Sequence, residues 1–177
     1  FSISWARIIP DGTGTINRAG LAFYDRLIDT CLKYGITPWI TLYHWDLPQA
    51  LQDTGGWLSR DTAYRFADYA QEVARRFGNR VATIATHNEP WCTANLGHGN
   101  AQFAPGIADE KSAIQVSHHL LLSHGLAMSA MRAVGASAEL GIVLNQWTAD
   151  AATDSEADRA MAELEYARSV QWFMDPI

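Results

Sequence analysis

Glu89 lies in the stretch Thr86-His87-Asn88-Glu89-Pro90-Trp91, directly after the apolar run 81–85. That run predicts a buried strand, and Pro90 must end it because proline donates nothing to a sheet ladder. An acid at a strand tip, with an amide before it and an indole after it, is a candidate proton donor, although an isolated loop glutamate is ordinarily just solvated. Three other strand-like runs also end in polar groups: Arg7, His44 with Trp45, and Asn145. Each has a plain explanation alone: Arg7 as a surface cation, His44 as a core histidine bonded to a carbonyl, Asn145 as a turn former. Four in succession are harder to dismiss, since strand ends in a layered core are costly places for unpaired polar groups. The set suits a sugar. His44, Asn88 and Asn145 match hydroxyls, while Trp45, Trp91 and Trp147 offer flat faces to apolar C–H surface. An arginine such as Arg7 holds a nearby carboxylate ionised. Glu89 would then protonate a glycosidic oxygen, which leaves poorly until protonated.

The elements that must position these groups alternate along the chain. Residues 1–5 read as a strand ending at Ala6-Arg7, followed by a turn at 10–14. Leu21, Tyr24, Leu27, Ile28, Cys31 and Leu32 recur at helical spacing, with Gly35 as the stop. Residues 37–43 form the next strand, ending at His44-Trp45-Asp46. After a loop over 47–58, Ala63, Phe66, Ala67, Ala70, Val73, Ala74 and Phe77 mark a helix with Ser59 or Asp61 as cap and Gly78 past its end. Beyond the Glu89 strand, a loop over 93–107 leads to a helix over 110–134, whose buried face is Ala113, Ser117, Leu120, His124, Ala127 and Met131. Residues 140–144 form a fourth strand ending at Asn145. Thr153-Asp154-Ser155-Glu156 fits a capping box before a last helix that runs to about Trp172.

Strand-helix alternation predicts a parallel sheet with right-handed crossovers. No Gly-x-Gly-x-x-Gly turn follows any strand, so a dinucleotide-binding open sheet loses its main support. The long polar-aromatic loops after the strands instead suit a (β/α)8 TIM barrel. The expected fold class is therefore α/β, with about four of eight βα units, in a single catalytic domain over 1–177 truncated at both ends.

Composition bounds the partners. The chain has 177 residues, 48% hydrophobic and 18% charged, with a net charge of -6. The acidic balance argues against nucleic-acid or anionic-membrane partners, and no apolar run approaches a membrane span. Cys31 and Cys92 make no disulfide framework and read as reduced buried thiols, which favours a cytoplasmic location. His118, His119 and His124 share a helix but lack metal-site spacing, so they are expected to pack and hydrogen-bond there. No metal is expected. Trp5, Trp39 and Trp172 are expected in the core.

Phe-Ser-Ile-Ser-Trp-Ala-Arg (1–7), Tyr-His-Trp-Asp-Leu-Pro-Gln-Ala-Leu (43–51), Gly-Gly-Trp (55–57), Asn-Glu-Pro-Trp-Cys (88–92), Ala-Pro-Gly (104–106) and Ser-His-His-Leu-Leu-Leu-Ser-His-Gly (117–125) resemble family 1 of the glycoside hydrolases, the β-glucosidases and relatives. The resemblance implies a (β/α)8 barrel, hydrolysis of β-glucosides with retained configuration, small β-glycoside or oligosaccharide substrates, and no cofactor. By motif, Glu89 matches the acid/base, Asn88 the amide at the sugar 2-hydroxyl, and His44 with Trp45 the glycone pocket. Arg7 matches the arginine that holds the nucleophile, and Asn145 a polar group near the same site. The family's nucleophile sits in a Thr-Glu-Asn-Gly motif that this chain lacks, so the piece alone is expected to be inactive. His87 stands where the family usually has an apolar or aromatic residue, and it is expected to pack outward against a helix. A 6-phospho-β-glycosidase and a non-catalytic sugar-binding relative remain as alternatives.

Overall fold

The computed structural model describes residues 1–177 and divides into two compact units, Phe1–Val143 and Leu144–Ile177. In the first unit, the short helix α1 (Trp5–Ile8) precedes α2 (Arg18–Lys33), strand β1 (Trp39–Tyr43) and the short α3 (Gln49–Gln52). Helix α4 (Asp61–Phe77), strand β2 (Thr83–Asn88), helix α5 (Glu110–Ala133) and strand β3 (Glu139–Val143) follow. The three strands form one parallel sheet in the order β1-β2-β3, each pair joined through a helix.

The core forms where α4 meets the strand ends. The face expected from its periodicity is buried, except Ala67, which is half-buried, and Tyr69 joins it. Phe66 is at the centre of an aromatic cluster. Its ring stacks on His87 at 4.5 Å and meets Trp5 at 5.6 Å, Trp57 at 6.0 Å and Tyr43 at 6.5 Å. Offset and edge-on aromatic pairs of this kind add stabilisation beyond the area they bury. The Tyr69 hydroxyl reaches the carbonyls of Leu42 (3.0 Å) and Ile3 (3.2 Å), tying α4 to β1 and the N-terminal segment. Helix α5 buries its expected face. Outside this core, Asp25 of α2 bridges Arg76 (2.5 Å) and Arg80 (2.6 Å). Burial pushes the Asp25 carboxyl up, but the two guanidiniums outweigh it and leave the group below its usual range.

Several expectations are corrected. The first strand reduces to one parallel bridge, Ser2 to Thr41, and the chain turns at once into α1, so Arg7 leaves a helical turn and not a strand. Alternation in Phe1–Trp5 mimics a strand because Ile3 and Trp5 both point into the core. Gly20 permits this turn, since a Cβ there would lie 2.0 Å from the Arg7 carbonyl oxygen. Neither Ser59 nor Asp61 caps α4; its N-cap is Arg60, without a side-chain bond, and Thr62 instead donates to the Gly56 carbonyl at 2.6 Å. Trp39, expected in the core, is 64% exposed at the first position of β1. Trp5, also expected in the core, is there at 0%, and Trp57 joins it at 1%. Residues expected as loop after Trp91 form a π-helix, Cys92–Gly99. On α2, only Gly20, Tyr24 and Ile28 are fully buried, and Leu32 is exposed.

The second unit contains helix α6 (Glu156–Tyr166), a π-helical stretch Ala167–Gln171 and the short α7 (Trp172–Met174). Its cap is Ser155, whose hydroxyl accepts from the Asp158 N–H at 3.1 Å, and the Thr153 hydroxyl bonds the Asp158 carboxylate. The N-cap thus lies two residues past its expected place, and the Ser155 N–H donates to the Thr153 hydroxyl at 3.2 Å. Trp172, expected in the core, is 37% exposed, while Phe173 is buried. No helix is long and apolar enough to cross a membrane.

Candidate active site

Strand β2 runs in register with β1 from Trp39↔Thr83 to Tyr43↔His87. Against β3 the register slips by one residue, since Ala85 pairs with Gly141 but Asn88 pairs with Val143. An extra residue in one strand bends it and redirects its side chains, and such bulges recur near active sites. The irregularity is bridged by the Thr86 hydroxyl, which reaches the Gly141 carbonyl at 3.2 Å and His124 Nδ1 at 2.8 Å. His87 consequently turns into the aromatic cluster, while Asn88 and Glu89 emerge half-buried at the strand tip.

Glu89 adopts φ +47°, a left-handed conformation uncommon for a residue with a Cβ. Three bonds hold it there. Its N–H donates to the Val143 carbonyl (2.8 Å) and its carbonyl accepts from the Cys92 N–H (2.8 Å). The Asn88 carbonyl, the other end of the peptide leading into Glu89, accepts from the Trp45 indole N–H at 2.9 Å. Trp45 itself has φ +75°. Two non-glycine residues in this region, at adjacent strand ends, store about 1–3 kcal/mol each, and the surrounding bonds must compensate. Trp45 is also wedged between rings, with His44 and Phe103 each 5.0 Å away. His44 Nδ1 lies 2.9 Å from the Ser2 hydroxyl.

The layer beneath is histidine-rich but holds its charge in check. The Ser123 hydroxyl donates to the Leu120 carbonyl, so His87 Nε2–H is the donor in the 2.8 Å contact with Ser123. His87 therefore packs outward against α4 and α5. Burial, then the neighbouring His124, holds its pKa down to about 3. His119 donates to the Trp57 carbonyl (2.8 Å), His118 lies 3.4 Å from Arg60, and His98 donates to the Thr93 carbonyl (2.9 Å). The helix histidines thus pack and hydrogen-bond as expected.

A pH effect follows. An unfolded chain protonates His87 near 6.5, whereas the folded one refuses the proton until about 3. Stability is full above pH 6.5 and is lost as pH falls through that window, by about 1 kcal/mol per pH unit from this group. His98 and His124, whose pKa values burial also lowers, add in the same direction. Urea midpoints measured between pH 7 and 4 should fall less steeply in His87→Phe than in the parent; equal slopes would show that His87 takes up its proton while folded.

The sequence-predicted residues divide by place. The structure brings His44, Trp45, Asn88 and Glu89 together at the ends of β1 and β2. Arg7 sits on α1, exposed, with its guanidinium 4.7 Å from the Phe23 ring centre. Asn145 belongs to the second unit and is half-buried there. Sequence reasoning missed Phe103 and Cys92. Phe103, 38% exposed, packs on Trp45 from the loop whose Ala-Pro-Gly block was its only signal. The Cys92 thiol lies 3.5 Å from Glu89 Oε2, a contact that the three-residue spacing on a helical turn makes possible. Neither Cys31 nor Cys92 is in a disulfide, and Cys31 is half-buried.

With this geometry, the whole sequence, residues 1–177, matches the profile of Glycosyl hydrolase family 1. The chain belongs to that family. It is 46% identical over 177 residues to beta-glucosidase A of Acetivibrio thermocellus, covering all of this chain and 40% of the relative. It is 55% identical over 145 residues to thermostable beta-glucosidase B of Thermobispora bispora, covering 82% of this chain and 30% of the relative. Among solved structures, the virulence factor SghA of Agrobacterium tumefaciens superposes with a TM-score of 0.96 at 46% identity, covering all of this chain and 39% of SghA. SghA has also been solved in complex with its substrate analog salicin. This family 1 chain spans about 40% of the length of the relatives it matches end to end.

Proposed function

We propose that the chain carries the proton-donating half of a retaining β-glucosidase site, in a (β/α)8 barrel to which residues 1–177 contribute consecutive βα units of one domain. The observation that carries this reading is Glu89 at the tip of β2, its backbone fixed on both sides, in a chain matching the family throughout. Glu89 as a carboxylic acid gives its proton to the glycosidic oxygen as the C1–O bond breaks. A second carboxylate takes C1, forming a glycosyl-enzyme. Glu89, now ionised, removes a proton from water as the water attacks C1, so two inversions give retention. In this reading the second carboxylate comes from the part of the relatives' length that these 177 residues do not span.

In this reading, His44 and the Asn88 side chain contact the sugar hydroxyls. Trp45 offers chiefly its ring face, because its indole N–H is already given to the Asn88 carbonyl. The assignments of Arg7 to the nucleophile and Asn145 to the substrate rest on the family motifs. The names of the relatives favour plain β-glucosides over phosphorylated ones.

The test is stereochemical. The full-length protein, given an aryl β-glucoside and followed by proton NMR, should release the β-anomer of the sugar first, as carboxyls about 5 Å apart require. First release of the α-anomer would exclude the two-displacement reading.

A further inference from the structure

We propose that Cys92 is a positioning residue, its thiol orienting the Glu89 carboxyl for proton transfer. The inference rests on the reading of Glu89 as the acid. Three backbone bonds fix where the Glu89 side chain begins, but they leave its carboxyl free to rotate about its own torsions. The turn that follows β2 brings Cys92 back beneath it. The Cys92 N–H holds the Glu89 carbonyl at 2.8 Å, and the thiol donates to Oε2 at 3.5 Å. Cys92 is 6% exposed, so water does not compete freely for this contact. With Oε2 occupied as an acceptor, the transferable proton belongs on Oε1.

The thiol suits this task because it stays protonated. Burial, with Glu89 next to it, pushes the Cys92 thiol up to about 11, so it remains a donor across the neutral range. It is a weak donor, enough to select a rotamer without locking the carboxylate in its ionised form. The adjoining elements bring other groups to this corner. His44 and Asp46 flank Trp45 at the end of β1, and β3 meets Glu89 through the Val143 backbone. None of these contacts is made by the Cys92 side chain.

The experiment compares Cys92→Ala and Cys92→Ser in the full-length enzyme, using methyl β-glucoside and 2,4-dinitrophenyl β-glucoside across pH. The first substrate needs a proton on its leaving group and the second does not. Cys92→Ala should lose about three- to tenfold in kcat/KM on the methyl glucoside and stay within about twofold of the parent on the dinitrophenyl glucoside. Its alkaline limb should move to higher pH, because a donor to the carboxylate has been removed. Cys92→Ser, which keeps a donor, should restore both. Equal losses on the two substrates would mean that Cys92 only supports packing, and an unchanged rate and limb would mean that it does nothing; either overturns the inference. Glu89→Gln serves as the control. If it also fails to distinguish the two substrates, the reading of Glu89 itself has fallen, and this inference with it.

Discussion

Glu89→Gln in the full-length enzyme should lower kcat/KM on an alkyl β-glucoside by about 10²–10⁴, the usual contribution of a positioned general acid. Glutamine keeps the shape of the side chain and its place at the tip of β2, but it has no proton to give. The backbone bonds from Val143, Cys92 and Trp45 do not involve the carboxyl, so the fold should survive. Thermal midpoints close to those of the parent would show that the loss is chemical. A loss of less than about tenfold would mean that another group protonates the leaving group.

Phe66→Ala should have the largest effect on stability, about 3–5 kcal/mol by chemical denaturation, typical of an aromatic removed from a packed core. Phe66 is 0% exposed and touches Trp5, Tyr43, Trp57, Tyr69 and His87. Those rings join α1, β1, the segment before α4, and β2, so the void opens directly under the site. By contrast, the ion pairs of Asp25 with Arg76 and Arg80 are partly exposed, and pairs of that kind contribute about 1 kcal/mol or less. A Phe66→Ala cost below about 1 kcal/mol would show that the cluster can collapse to fill the void, and that it does not fix the strand ends.

Much of this was legible in the sequence, because helix and strand differ in hydrophobic period. The faces of α4 and α5 follow from spacing alone, and Pro90 marks where β2 must end. Arg7 was misplaced because the inward-outward alternation belongs to the extended residues 1–5, and nothing in it marks the turn into α1 at Trp5. The bulge in β2 was not legible. It depends on how Ala85 and Asn88 meet Gly141 and Val143 about 55 residues away, and no local pattern encodes that slip. The left-handed backbones of Trp45 and Glu89 were hidden for a similar reason. Nothing in either residue type favours φ above zero; distant bonds impose it. Trp39 and Trp172 show the limit of composition, since a large apolar side chain is buried only where another element arrives to cover it.

The central claim is that Glu89 delivers a proton to the departing oxygen. It is tested most directly by the slope of log kcat/KM against leaving-group pKa for a series of aryl β-glucosides, compared between the full-length parent and Glu89→Gln. The account predicts a shallow slope in the parent and a steep one in the variant, with the two converging at the best leaving groups. Parallel lines, displaced equally at every substrate, would contradict it.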